Sequence, residues 1–265
     1  FAARFKDKLR LTAVIAAFII LIFSVVYCSS GMVSGARLFQ QTFGMDYENA
    51  LLIGAVSTIL YVCIGGFLAV SWTDAVQASL MIFALVITPI IIILDVGSFS
   101  EANALVSLKG PDMANMLKGT TVIGLISLAG WGLGYVGQPH ILVRFMAAAS
   151  VRGMGGARRI SISWMIFCLL GAVAVGYYGV AFAAKHPELT VDNPEQIFII
   201  VTQTLFTPWI AGILLSAILA AIMSTLSCQL LVASTTLTAD FYRRVVRPHA
   251  SQTELVWIGR FMLLL

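Results

Sequence analysis

The sequence predicts an all-α membrane protein, and three observations predict it. Of 265 residues, 60% are hydrophobic and 11% charged, where a soluble domain carries about 25% charged residues. Mean hydropathy is +0.97. Uncharged stretches long enough to cross hydrocarbon, about 20 residues of helix, recur along the whole chain. Each such stretch must satisfy its own backbone hydrogen bonds in lipid, and none shows the period-two alternation of a barrel strand, so each is read as a helix.

Six spans are predicted, at 11–36, 50–71, 75–94, 119–143, 160–184 and 208–239, with a seventh starting near Leu255. The first is too long for a signal peptide. A chain that opens on Phe1 and closes inside the apolar run from Phe261 to Leu265 reads as a piece of a longer protein. Without a charge block or low-complexity linker, residues 1–265 are expected to form one membrane domain, or part of one. Between the spans, 95–118 and 185–207 have room for short surface helices. Asn193-Pro194-Glu195 reads as the start of one, because proline suits a first helical turn and an acid there favours the dipole.

The basic residues orient the spans. Arg4, Lys6, Lys8 and Arg10, then Arg144, Arg152, Arg158 and Arg159, then Arg243, Arg244 and Arg247 occupy alternate connections, together with a tight turn at Asp74. The intervening connections hold Arg37, Lys109, Lys118 and Lys185 and most of the acids. Eleven basic residues against four place Phe1 in the cytoplasm of a multi-pass membrane protein. The excess charge of +4 is thereby topological, and no nucleic-acid footprint remains. Cys28, Cys63, Cys168 and Cys228 sit singly in apolar runs, which argues against disulfides and zinc. His140, His186 and His249 are dispersed, and no phosphate-binding loop occurs, so an enzyme is not expected.

The fourth span carries most information. From Gly130 to Pro139 it places four glycines and a proline within ten residues. At about 1 kcal/mol per glycine and about 3 for proline, a continuous helix there forgoes roughly 7 kcal/mol relative to alanine, and the helix is expected to break near residues 130–139. Broken membrane helices persist where freed backbone lines a cavity, as in secondary transporters; the competing reading is close packing of small residues. Trp131 and Tyr135, one turn apart, could share a face suited to a compact apolar solute, or could pack a core. Gln138 and His140 beside them stay open between ligand, gate and interface.

The sixth span is rich in hydroxyls. Ser224 and Thr225, with a nearby carbonyl, offer two or three oxygens to a hard cation, although such side chains more commonly bond back to their own helix. Gly31 and Gly35 in the first span form a GxxxG packing face. Tyr27, deep in that span, needs a partner for its hydroxyl and could face a cavity. Asp74 reads by default, with Thr73, as a helix cap, with an ion path as the alternative.

Three runs together, Gly65 to Asp74, Gly130 to His140 and Ile213 to Leu230, resemble the sodium-solute symporter family, and the resemblance extends along the whole chain. It implies a partial bundle of the 5+5 inverted-repeat transporter fold, from core helix three to the start of nine, with the fourth span as the broken first helix of the second repeat. It further implies sodium-coupled import of L-proline by alternating access, with sodium as the co-transported ion. Tyr27, Trp131, Tyr135 and Pro139 would serve proline. Ser224, Thr225 and the Ala221 carbonyl would serve sodium, and Asp74 would be functionally important. The first repeat's own broken helix would precede Phe1, leaving both sites half present and these 265 residues unable to transport alone. Other readings of the same residues are a symporter for another small organic solute, a membrane sensor module, and a channel; the last lacks a ring of charges.

Overall fold

The computed structural model describes residues 11–264 except 111, 112, 114, 116, 117, 136, 190 and 192. The basic residues Arg4 to Arg10 and the acids Asp112 and Asp192 thus lie outside the described residues. In chain order the elements are α1 (Leu11–Phe43), α2 (Tyr47–Val96), α3 (Phe99–Lys109), α4 (Val122–Tyr135), α5 (Pro139–Met146) and α6 (Met154–Lys185). A 3₁₀ turn (Pro194–Gln196), α7 (Ile197–Leu205), α8 (Pro208–Thr235), a π-helical segment (Thr236–Val246) and α9 (Gln252–Met262) follow. Among the described residues no strand occurs. Among the described residues four helices are long and apolar enough to cross a membrane: Leu11–Phe43, Tyr47–Val96, Met154–Lys185 and Pro208–Arg244, the last including most of the π segment. The chain divides into two compact units, residues 1–77 with 219–265, and residues 78–218.

In the first unit α1 outruns its predicted end and stops where Gly44 takes φ 64°, its N–H returning to the Gln40 carbonyl at 3.0 Å. A left-handed glycine is the usual way to close a helix. The Gly31 and Gly35 face packs as expected. A Cβ on Gly31 would lie 3.7 Å from Leu226, and one on Gly35 3.6 Å from Ile222, so α8 beds against this stripe.

One expectation is corrected here. The predicted spans 50–71 and 75–94 are two helices that meet within α2 at a kink at Gly66 (φ 55°, ψ −150°), not at a turn at Asp74, through which the helix continues. Only glycine adopts that conformation cheaply, and at Gly65 a Cβ would strike the Ala69 side chain. Thr73 caps nothing; its hydroxyl donates to the Ala69 and Val70 carbonyls, both at 3.0 Å.

Beyond Thr235 the α8 helix widens into the π segment, closed by the Arg247 N–H donating to the Tyr242 carbonyl at 2.9 Å. Its end is tied to the first turn of α9. One carboxylate oxygen of Glu254 accepts from the Tyr242 hydroxyl at 2.6 Å and from the Arg247 guanidinium at 2.9 Å. Further along, the Ser234 hydroxyl donates to the Gly259 carbonyl at 2.7 Å.

In the second unit Ile92, Ala102, Val106, Tyr178, Ala181, Phe182 and Val201 form a buried core contributed by α2, α3, α6 and α7. The Trp164 indole N–H donates 3.0 Å to the Ala78 carbonyl and fixes α6 along α2. The expected surface helices are present as α3 and α7. Asn193 caps its helix start, accepting from the Glu195 N–H at 3.0 Å, and Pro194 occupies the first helical position as read from the sequence.

At the end of α6 the His186 ring lies between two carboxylates, Nε2 at 3.1 Å from Asp95 and Nδ1 at 3.0 Å from Glu188. Lys185 also donates to the Asp95 carbonyl. A neutral imidazole has one N–H, so only the imidazolium can donate to both acids at once. The bonds to Asp95, first, and Glu188 accordingly raise the His186 pKa above its ordinary 6.5. Stabilisation from a raised histidine is complete below pH 6.5 and is lost as pH climbs through the higher folded value. We expect hydrogen exchange of residues 186–197 in the full-length protein to quicken across that window, and a His186→Gln protein to show no such step. A wild-type profile as flat as the variant's would remove the imidazolium from this contact.

Candidate substrate and ion site

The helix breaks within the predicted stretch, though later than its glycines suggest. Gly130, Gly132 and Gly134 remain helical in α4, which ends at Tyr135, and α5 restarts at Pro139. Val136 lies outside the described residues. Gly137 and Gln138 turn back on α4, their N–H groups donating to the Gly134 and Tyr135 carbonyls at 3.0 and 3.3 Å. Gln138 is the N-cap of α5 yet its side chain makes no capping bond; its carbonyl instead accepts from Ile141 and Leu142, both at 3.1 Å. A Cβ on Gly130, Gly132 or Gly134 would meet no atom within 4 Å, so no close helix contact requires these glycines. Their effect is to lower the cost of interrupting the helix just beyond them.

Trp131 and Tyr135 meet on one face of α4, ring centroids 5.5 Å apart and planes tilted by 41°. Trp131 is 65% and Tyr135 36% exposed, so the pair presents an apolar surface outward from its own unit. Pro139 starts α5, whose positive dipole end therefore points at the break, a favourable place for a carboxylate.

The hydroxyl-rich helix α8 carries the second set. The Thr225 hydroxyl donates to the Ala221 carbonyl at 3.1 Å, and the Ser227 hydroxyl donates to the Ser224 carbonyl at 3.0 Å. Back-bonding of this kind is the ordinary state of such residues in a membrane helix, and it also holds two of the three expected ion oxygens side by side. Hard cations take oxygen ligands at roughly 2.3–2.6 Å, which leaves neighbouring ligands about 3 Å apart. The Thr225 and Ala221 oxygens fit that spacing.

Asp74 lies on the same unit. Its carboxylate accepts from the Cys228 thiol at 3.5 Å, one turn beyond Ser224 on α8, and the Tyr61 hydroxyl donates to the Met223 carbonyl at 3.3 Å. Tyr61 and Cys228 were not singled out from the sequence. Their partners are 162 and 154 residues away, and nothing local marks them. Tyr27, on α1, is 48% exposed. A cavity of about 50 Å³ opens between α1, α2 and α8, lined by Gly31, Gly35, Gly54, Thr58, Ile222 and Met223 among others. Thr58 keeps its hydroxyl on the Gly54 carbonyl at 2.8 Å, so the cavity is almost wholly apolar and distinct from the Ser224 and Thr225 oxygens.

In secondary transporters, broken membrane helices and exposed hydroxyl and carbonyl oxygens are features that bind substrate and coupling ion. The sodium:solute symporter family model matches residues 1–265, and the chain belongs to that family. Across 267 residues it is 59% identical to the sodium/proline symporter of Escherichia coli K12, covering 100% of this chain and 53% of that protein. It is 48% identical over 264 residues to the osmoregulated proline transporter OpuE of Bacillus subtilis, covering 100% of this chain and 54% of that one. The chain thus spans about half the length of the curated relatives it matches. Among solved structures, a Na⁺-coupled sialic acid symporter in a substrate-bound outward-open state matches with a TM-score of 0.77 at 19% identity, over 94% of this chain and 55% of that one. That likeness establishes the fold.

Proposed function

We propose that the full-length protein is a sodium-coupled symporter that imports L-proline by alternating access. The observation that carries this reading is the interruption of the fourth span between Tyr135 and Pro139 in a chain whose relatives are named proline transporters. Proline is a small ring bearing a zwitterion. Trp131 and Tyr135 contact the ring, the start of α5 at Pro139 receives the carboxylate, and Tyr27 also serves proline. Ala221, Ser224 and Thr225 hold sodium, and Asp74 contributes a negative charge on the ion's side of the first unit. Sodium binding favours the state that binds proline, and proline favours the state that binds sodium by the same factor. In this reading the N-terminal end lies in the cytoplasm, at the inner membrane, within one domain of inverted-repeat architecture, and the distribution of basic residues supports that orientation.

Labelled proline uptake into proteoliposomes of the full-length protein, with potassium replacing sodium in one arm, tests the proposal. Sodium should drive accumulation and potassium should not. Trp131→Ala and Tyr135→Ala should each raise the proline concentration for half-maximal uptake roughly 10- to 150-fold, the range of about 1.5–3 kcal/mol for an aromatic contact with bound substrate. Sodium binding should change far less. Equal loss of both would assign the pair to folding, and saturable proline binding without flux would favour a sensor.

A further inference from the structure

We infer that the segment from Arg152 to Arg159 is a binding surface for the headgroups of anionic phospholipids. The sequence contains no acidic residue from 113 to 187, and within that stretch stand Arg144, Arg152, Arg158 and Arg159. The side chains of Arg152, Arg158 and Arg159 are exposed and make no ion pair or hydrogen bond among the described residues.

The backbone adds to this positive charge. α6 begins at Met154 behind Gly153, which supplies no side-chain cap, and its first turn holds no acid. Helix starts normally attract acidic side chains, and cations beside them are disfavoured. Here two arginines sit just past a helix start whose N-cap supplies no side-chain bond, and a Cβ at Gly155 or Gly156 would meet nothing within 4 Å, so this turn is open to its surroundings. Among the described residues no acid pairs with these arginines, so the complementary anion comes from outside them.

The surroundings specify which anion. Met146 and Val151 are 83% and 88% exposed, Ile160 follows the arginine pair, and α6 then runs on as a membrane-length helix. Arginines bordered by apolar side chains at the mouth of a membrane helix lie at headgroup depth. A guanidinium fork matches a phosphodiester in two hydrogen bonds. The surface stands directly after α5, so lipid bound there holds the far end of the broken helix against the leaflet.

The test uses the full-length protein in nanodiscs of phosphatidylcholine with added phosphatidylglycerol, reading retained phosphatidylglycerol by native mass spectrometry. Retention should weaken about fivefold for each of Arg152→Gln, Arg158→Gln and Arg159→Gln, and on the order of 100-fold for all three. The corresponding triple lysine substitution should keep a preference for phosphatidylglycerol over phosphatidylcholine, and it serves as the reading if the glutamine variant does not fold. Inorganic phosphate at the same concentration should not compete. Undiminished retention by the glutamine variant, or no lipid preference in the lysine variant, would mean that another segment of the protein occupies these arginines and would overturn the inference. Displacement by inorganic phosphate would overturn it as well, marking a free-anion site.

Discussion

A Gly171→Val protein is expected to lose about 3 kcal/mol of stability in its second unit, roughly a 100-fold shift toward the unfolded state. Pro89 lies inside α2 and has no N–H to give to the Leu85 carbonyl four residues earlier. α6 packs against α2 at that carbonyl. A Cβ at Gly171 would strike the Leu85 carbonyl oxygen and carbon, and its neighbours there are backbone, which cannot rotate away as a side chain can. The cost should therefore reach the upper part of the overpacking range. Thermal unfolding of the purified full-length protein measures it. Gly176, on the same helix, is the control: a Cβ there meets nothing within 4 Å, so Gly176→Ala should not destabilise and should gain up to about 1 kcal/mol of helix propensity. A Gly171 variant as stable as the Gly176 variant would show that the two helices do not approach so closely.

The second large effect concerns the ion. Thr225→Val keeps the shape of the side chain and removes the hydroxyl that lies 3.1 Å from the Ala221 carbonyl. If that oxygen holds sodium, its loss costs about 1.5–3 kcal/mol, as for a hydrogen bond to a charge. The sodium concentration for half-maximal proline uptake should then rise roughly 10- to 150-fold, with maximal uptake largely retained at saturating sodium. Thr235 provides the comparison, since its hydroxyl makes the same back-bond, to the Leu231 carbonyl at 2.7 Å, ten residues further along. Thr235→Val should leave sodium dependence unchanged. Identical behaviour of the two variants would reduce the Thr225 hydroxyl to a helix back-bond.

These two sites differ in how far the sequence reveals them. Thr225 with Ala221, and Trp131 with Tyr135, are pairs four residues apart on one helix, and the 3.6-residue period alone brings them together. The interruption after Tyr135 follows from glycine and proline propensities, and the start at Asn193-Pro194 from capping chemistry. All are local properties of a chain whose composition already commits it to helices in lipid. Gly171 is different: it is one small residue among several on α6, and only the passage of the Leu85 carbonyl gives it a role.

The same division explains the misplaced break in α2. Ser71-Trp72-Thr73-Asp74 carries the polar residues of a helix start, yet the positive φ sits at Gly66, and Asp74 is carried inside the helix to meet Cys228. A polar cluster within an apolar chain looks like an end until a partner from a distant helix is seen to satisfy it. His186 is likewise unremarkable in sequence and acquires its raised pKa from Asp95, 91 residues away. Residue order thus determined the helices, their apolar faces and where one of them gives way, because those depend on neighbours a few positions apart. Tertiary structure alone decided which buried polar groups meet and where backbones touch, because those pairings join segments that chain connectivity leaves free to choose among many partners.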